Sequence, residues 1–273
     1  MKIIFDIGCN EGQNLQYFLK KADYVVGIEA NPILINNIKN KFQREIFSKK
    51  LFLENIALSD KNSTTSFYVN KKKNYLSQLE KPKKIFNYRK IKINTMKPSK
   101  IIKKYLTILK LKNIELIKID VETSSEKVFE DLLNNKILSK FLSIEAQSPK
   151  VLELILQSPY KSFKLLNGKD VGTKLKKLKI IDKNNNKIKF DFKIHSAGPY
   201  GLDIPGRYYS KSSLINYFIN NGFGWKDVNC FINNVSRYDK IEYDANIHRQ
   251  GFRYHLKKLI PKFFKSFKNK FSL

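Results

Sequence analysis

Ile3-Ile4-Phe5-Asp6-Ile7-Gly8-Cys9-Asn10-Glu11-Gly12 is the stretch whose reading decides the fold. Its apolar run from Ile3 to Ile7 has the length of a buried strand, and the glycines at 8 and 12 bracket a turn. Leu15, Phe18 and Leu19 then recur at the spacing of one helical face. A second apolar run, Tyr24-Val25-Val26-Gly27-Ile28, stops at an acid, Glu29. Ala30-Asn31-Pro32 leads from there into another amphipathic segment carrying Leu34, Ile35, Ile38 and Phe42. The pattern is βαβα, and strands alternating with helices predict a doubly wound, mostly parallel α/β sheet with right-handed crossovers.

The strand signals continue outward from this start. Leu51-Phe52-Leu53-Glu54-Asn55-Ile56 reads as the third strand and Ser66-Phe67-Tyr68-Val69 as a further extended piece. A basic polar stretch over residues 70–84 then reads as a mobile flap, with Ser77 and Leu79 as its candidates for touching a ligand. Glu115 to Asp120 and Phe141 to Glu145 are predicted strands that end in acids, a helix follows over residues 149–156, and Ser162 to Leu166 adds a sixth strand. Ile188, Phe190, Phe192 and Ile194 alternate strictly with polar residues. With residues 178–181 and the turn 182–186 this predicts an inserted β-hairpin whose apolar face is covered. The run from His195 to Tyr209 has turn formers and aromatics without periodicity, which suits recognition of a polar acceptor better than a core. A helix over residues 213–221 stopped by Gly222 and a last strand over residues 228–232 follow.

In a βαβ unit of this kind the ligand crosses the carboxyl ends of the strands, against the first glycine turn. An acid closing the second strand is placed to accept from ribose hydroxyls. Glu29 has that position. The dinucleotide fingerprint needs a glycine where this chain has Asn10, because there the backbone must approach a pyrophosphate closely. A nucleoside with an amino-acid tail satisfies the ribose contact without a pyrophosphate, and S-adenosylmethionine is the common molecule of that shape.

Four segments in order, Asp6-Ile7-Gly8-Cys9-Asn10-Glu11-Gly12, Gly27-Ile28-Glu29-Ala30-Asn31-Pro32, Asn55-Ile56-Ala57-Leu58-Ser59-Asp60 and Lys118-Ile119-Asp120-Val121-Glu122, give a sequence that resembles the FkbM family of S-adenosylmethionine-dependent methyltransferases. The resemblance covers residues 1–147 and continues more weakly through residues 195–201 and 224–227. It implies a Rossmann-like class I methyltransferase fold and methyl transfer to an oxygen of a glycan or related small molecule. By the same resemblance Asp6, Gly8, Asn10 and Gly12 line the methionine end of the cofactor, Glu29 holds its ribose beside Asn31, and Asn55 and Ala57 lie near the adenine. The family continues the fourth segment with Gly, where this chain has Thr123.

An acid near a sulfonium methyl can orient an acceptor hydroxyl and take its proton as the new bond forms. Asp120 and Glu122 are the candidates. The competing assignment has Asp120 fixing the methionine amino group and Glu122 capping the next helix. His195 is a candidate general base, because an imidazole titrates near working pH. Its alternative is a satisfied structural partner. No required metal is expected.

The composition bounds what remains. The chain of 273 residues carries 53 Lys plus Arg against 24 Asp plus Glu, a net charge of +29. That potential favours anionic partners. Only 6 of the 53 are Arg, however, and Arg is the residue that forks onto phosphates and bases, so nucleic acid is the weaker expectation and codon bias a competing source of the charge. A nucleic-acid methyltransferase and a non-catalytic basic binding module stay open as alternatives. The apolar run broken at Asp6, the two cysteines and the absence of a long apolar segment lead to a cytoplasmic expectation. Leu256, Leu259, Ile260, Phe263, Phe264, Phe267 and Phe271 share a helical stripe among lysines, a basic amphipathic C-terminal tail suited to peripheral contact with an anionic membrane. The expected organisation is a cofactor-binding α/β core over residues 1–160, an acceptor-side insertion with the final sheet strands over 161–250, and the tail over 251–273.

Overall fold

The computed structural model describes residues 1–73 and 76–233, so the expected tail at 251–273 lies outside the described residues. Among the described residues there are twelve strands: β1 (Ile3–Ile7), β2 (Tyr24–Ile28), β3 (Leu51–Glu54), β4 (Ala57–Leu58), β5 (Ser63–Asn70), β6 (Tyr88–Met96), β7 (Leu116–Ile119), β8 (Phe141–Glu145), β9 (Ser162–Asn167), β10 (Lys177–Ile181), β11 (Lys187–Asp191) and β12 (Lys226–Phe231). The helices are α1 (Leu15–Lys21), α2 (Pro32–Lys41), α3 (Gln43–Phe47), α4 (Pro98–Ile108), α5 (Ser125–Asn134), α6 (Pro149–Gln157), α7 (Gly168–Val171) and α8 (Lys211–Asn221).

Seven strands form the main sheet in the order β3-β2-β1-β7-β8-β12-β9. Every pair from β3 to β8 is parallel, and β12 enters antiparallel between β8 and β9. The chain winds outward from β1 in both directions, so the switch point, where parallel α/β sheets open a crevice, lies between β1 and β7.

The two faces of the sheet are buried differently. On one, Phe5, Ile117, Ile144 and Val228 pack under Ile101, Phe129, Ile155 and Phe218 of α4, α5, α6 and α8. On the other, Ile4, Leu116 and Phe141 meet Leu15 and Phe18 of α1, and beyond them Phe190 of β11 and Phe192 just after it, in the β10-β11 hairpin. Burying each of those two rings contributes about 2 kcal/mol, which anchors the hairpin to the sheet. Its pairing, Leu178 with Phe190 and Ile180 with Ile188, is the one the alternation predicts.

Two expectations are corrected. The period-two pattern puts Ile194 inside, yet it is 68% exposed, because β11 ends at Asp191 and the chain turns at Lys193, whose carbonyl accepts from Ser196 N at 3.1 Å. About half of the run 195–209 is also core, beyond His195, Ser196 and Ala197. Tyr200 and Tyr209 are buried, and Tyr17 Oη and Lys21 Nζ both donate to Asp203 Oδ2 at 2.7 Å, tying the run to α1. Asp203 is tolerated in this aperiodic core because it has fixed partners, whereas Tyr200 Oη is buried without one among the described residues.

Of a second sheet, β4-β6-β5, the sequence signals cover only part of β5, the extended piece at 66–69; in β6 just Ile91 and Ile93 stand out among Arg89, Lys90 and Lys92. This sheet strengthens the region expected to be a flap. Tyr68 and Gln78 exchange both backbone bonds, at 2.9 and 3.1 Å, and Asn70 N donates to Ser77 Oγ at 3.0 Å, which straps residues 77–78 to β5.

Candidate functional site

A cleft of about 400 Å³ opens at the carboxyl edge of the main sheet and extends from β2 past the switch point to β12. Strands are spaced about 4.8 Å apart, so the four steps from β2 to β12 span roughly 19 Å of sheet.

At the β2 end, Glu29 is the fixed point. Asn10 N donates to its Oε2 at 2.9 Å and Asn31 N to its Oε1 at 2.8 Å, while Asn55 Nδ2 clamps the carbonyls of Glu29 and Ala30 at 3.0 and 3.1 Å. Burial pushes the Glu29 carboxyl above its ordinary pKa, and the Asn31 and Asn10 amides work against that shift. Asn31 also caps α2, accepting from Ile33 N at 3.1 Å. The cleft wall here comes from the second sheet and its strap: Ala57, Leu58, Phe67, Ser77 and Leu79.

Gly8 at φ +79° turns the chain out of β1. A Cβ built on it would lie 1.9 Å from the Asp120 carbonyl oxygen, so the glycine is required by the approach of the β7 end, a need internal to the protein. Beneath the turn Lys118 reaches up, donating to the Gly8 carbonyl at 3.0 Å and standing 3.2 Å from both Asp6 Oδ1 and Asp120 Oδ2. Burial disfavours its charge, but the two carboxylates outweigh burial and hold the ammonium well above its usual pKa. Asp6, Lys118, Ser143, Asn229 and Lys164 are register partners across five strands, forming one buried polar row on one face. Two residues further along, Asp120, Glu145 and Asp227 form the next row and reach the cleft.

At this far end the carboxyls crowd together. Burial raises Glu122 to about 8, helped by Asp120 and Glu145, and raises Glu145 to about 7, helped by Asp120. Gln147 Nε2 donates to Glu145 Oε2 at 2.8 Å and moderates both. His195 stacks on Trp225 with ring centroids 5.8 Å apart and planes at 21°. Seven non-glycine residues among those described have positive φ, and three of them, Asn10, Glu122 and His195, line this cleft. Each such conformation costs about 1–2 kcal/mol, and strain held at one place is a mark of a working site.

Of the residues singled out from sequence, Gly8, Asn10, Glu29, Ala57, Asp120, Glu122 and His195 line the cleft together. Asp6 is fully buried below the floor, and Asn31 and Asn55 act on Glu29 from behind. Gly12 donates its N–H to the Cys9 carbonyl at 2.8 Å, closing the turn. Lys118, Glu145, Trp225 and Asp227 belong to the same site without having been singled out. Asp227 was hard to find because β12 runs backwards, so its first residues, not its last, meet the cleft edge. Among the described residues no group of three His, Cys, Asp or Glu is arranged to hold a metal ion, and no helix is long and apolar enough to cross a membrane.

The cleft suits S-adenosylmethionine on two counts: a buried carboxylate held by backbone amides for a ribose diol, and Asn10 Oδ1, buried with no hydrogen-bond partner, beside the glycine turn. The family match agrees. Residues 6–158 match the family described as the Methyltransferase FkbM domain. Among solved structures, the chain is similar to methyltransferase FkbM from Methylobacillus flagellatus KT at 15% identity and a TM-score of 0.39, over 61% of this chain and 40% of that one. It is also similar to a dimethyladenosine transferase from Plasmodium falciparum at 12% identity and a TM-score of 0.34, over 62% and 50% of the respective chains. A third similarity is to phosphoethanolamine N-methyltransferase 1 from Haemonchus contortus in complex with phosphoethanolamine and S-adenosylhomocysteine, at 10% identity and a TM-score of 0.30, over 99% and 46%. No curated protein sequence matches the chain. The chain belongs to the FkbM family of methyltransferases, whose methyl donor is S-adenosylmethionine.

Proposed function

We propose that the chain methylates a hydroxyl oxygen of a glycan or related small polar acceptor. The observation that carries this reading is that one cleft joins two unlike ends, a clamped carboxylate with an apolar wall at β2 and a group of carboxyls with an exposed aromatic ring at β8 and β12. Glu29 takes the ribose, Ala57 and Phe67 flank the adenine, and Gly8 and Asn10 border the methionine tail. S-adenosylmethionine, when bound there, supplies an electrophilic methyl on a sulfonium sulfur.

The residues of the far end do the rest. They hold the acceptor hydroxyl in line with that methyl, and an effective concentration gain of this sort accounts for several kcal/mol of the barrier. Asp120, Glu122 or His195 takes up the hydroxyl proton as the O–C bond forms and the C–S bond breaks. Glu122, pushed up to about 8 by burial and its acidic neighbours, is a stronger base than an ordinary carboxylate and is still ionised in part at neutral pH. In this reading the basic tail at 251–273 brings the cleft to acceptors on an anionic membrane surface.

The test is transfer of a labelled methyl from S-adenosylmethionine to a panel of oligosaccharides and lipid-linked sugars. The expected result is label in an alkali-stable methyl ether. Label in an amine or in RNA would overturn the reading.

A further inference from the structure

The β8–β12 end of the cleft gathers more carboxyls than the protein pairs with cations there. Asp120, Glu122, Glu145 and Asp227 all line it, and Lys118, the cation beneath them, is already shared between Asp6 and Asp120. Asp227 is the most isolated of the four. It is 6% exposed and lines the cleft, and its carboxyl has no hydrogen-bond or ion-pair partner among the described residues. Burial raises it well above the usual carboxylate range, and Asp120 and Glu145 raise it further. A buried carboxyl facing other carboxyls, with no donor of its own, is stabilised most by a cation that enters with the ligand.

The neighbouring wall adds shape. Trp225 is 39% exposed, and its indole lies directly on Gly168, where a Cβ would stand 2.2 Å from the ring. Gly168 N also donates to the Trp225 carbonyl at 3.1 Å, and His195 stacks on the same indole. The ring is thus held rigidly beside the carboxyls, and an aromatic face receives both the C–H face of a saturated ring and a nearby cation.

We infer that the acceptor is an amino sugar or an equivalent hydroxylated ring bearing a protonated amine, its ammonium held by Asp227 and Glu145 and its ring laid on Trp225. This rests on the reading of the chain as a hydroxyl methyltransferase and narrows it. The chemistry is self-consistent: a protonated amine has no lone pair to attack the methyl, so the anchored nitrogen is spared and a ring hydroxyl is left as nucleophile.

Titration calorimetry on the full chain saturated with S-adenosylhomocysteine tests the inference, using methyl glucosaminide and methyl galactosaminide against their N-acetyl counterparts and the neutral hexosides. The free amines are expected to bind at least tenfold more tightly than the N-acetyl forms. Asp227→Asn, and separately Glu145→Gln, should bring that ratio close to one while changing the S-adenosylhomocysteine affinity by less than twofold. A ratio near one in the unmodified chain overturns the inference, as does a ratio that survives both substitutions. The methyl-transfer assay fails separately: efficient methylation of neutral sugars leaves the hydroxyl methyltransferase standing and removes the ammonium, whereas a preserved amine preference without any ether product does the reverse.

Discussion

The two ends of the cleft are built on opposite principles. At the β2 end every oxygen of Glu29 is already held by a backbone amide, so the carboxylate is oriented before any ligand arrives. At the β8–β12 end Glu122, Glu145 and Asp227 face one another with one buried lysine among them, and each is pushed towards its neutral form. The first end is preorganised and complete. The second is incomplete in charge, and its energy depends on what enters. The family's common donor requires the same geometry each time, whereas under the inference above the acceptor is recognised by the charge it brings.

The largest expected effect breaks the frame on which both ends depend. Gly8→Ala must place a methyl 1.9 Å from the Asp120 carbonyl oxygen at φ +79°. Moving β7 to relieve the clash would also part Lys118 from the Gly8 carbonyl. Destabilisation of about 4 kcal/mol or more is expected, measured by thermal or urea unfolding. A change under about 1 kcal/mol would mean the turn does not bind the two ends together.

Second in size is Glu29→Ala, which isolates the preorganised end. It leaves the Asn10 and Asn31 amides without their acceptor and removes the proposed ribose partner. A roughly 100-fold weaker affinity for S-adenosylhomocysteine is expected, equivalent to about 2.8 kcal/mol. Calorimetry with the product measures it, and an affinity within threefold of the unmodified chain would assign the ribose elsewhere.

The contrast between the ends also explains what could be read without coordinates. The preorganised end is local: Gly8, Asn10, Glu29 and Asn31 lie within two βα turns, where strand length, glycine and a terminal acid all fall in adjacent sequence. Lys118 hid in plain view, since a lysine inside an apolar strand is usually a solvent-facing residue, and only the pairing with Asp6 turns it inward. The acid end is non-local. Glu145 and Asp227 become neighbours only because β12 inserts antiparallel beside β8, a pairing 82 residues apart in the chain. Trp225 becomes a platform only because Gly168, on another element, leaves room for it. β6 of the second sheet escaped for a different reason: its alternation rests on Ile91 and Ile93 alone, a short apolar signal among Arg89, Lys90 and Lys92.

The smallest expected effect sharpens the comparison, because it should belong to the acid end. Glu122 is raised from about 4.5 to about 8 in the folded chain, facing Asp120 and Glu145, with Gln147 opposing the shift. Asp227 and Lys118 bear on the same group of carboxyls, the one raised alongside them and the other the cation beneath. A carboxyl raised on folding binds a proton that the unfolded chain has released, so its contribution is fully present below pH 4.5 and is lost as pH climbs through 8. Stability of the cofactor-free chain should therefore fall between about pH 4.5 and pH 8. Glu122→Gln removes one of these protons from the balance and should flatten the fall by about 1–2 kcal/mol, discounted for the partial solvation of the group. For a chain of this size that is roughly 2–8 °C in melting temperature at pH 8, with little change at pH 5. Melting curves across this range measure it. An unaltered slope would mean the carboxyls at this end are already neutralised from within, and the distinction between a complete end and an incomplete one would fail at its chemical root.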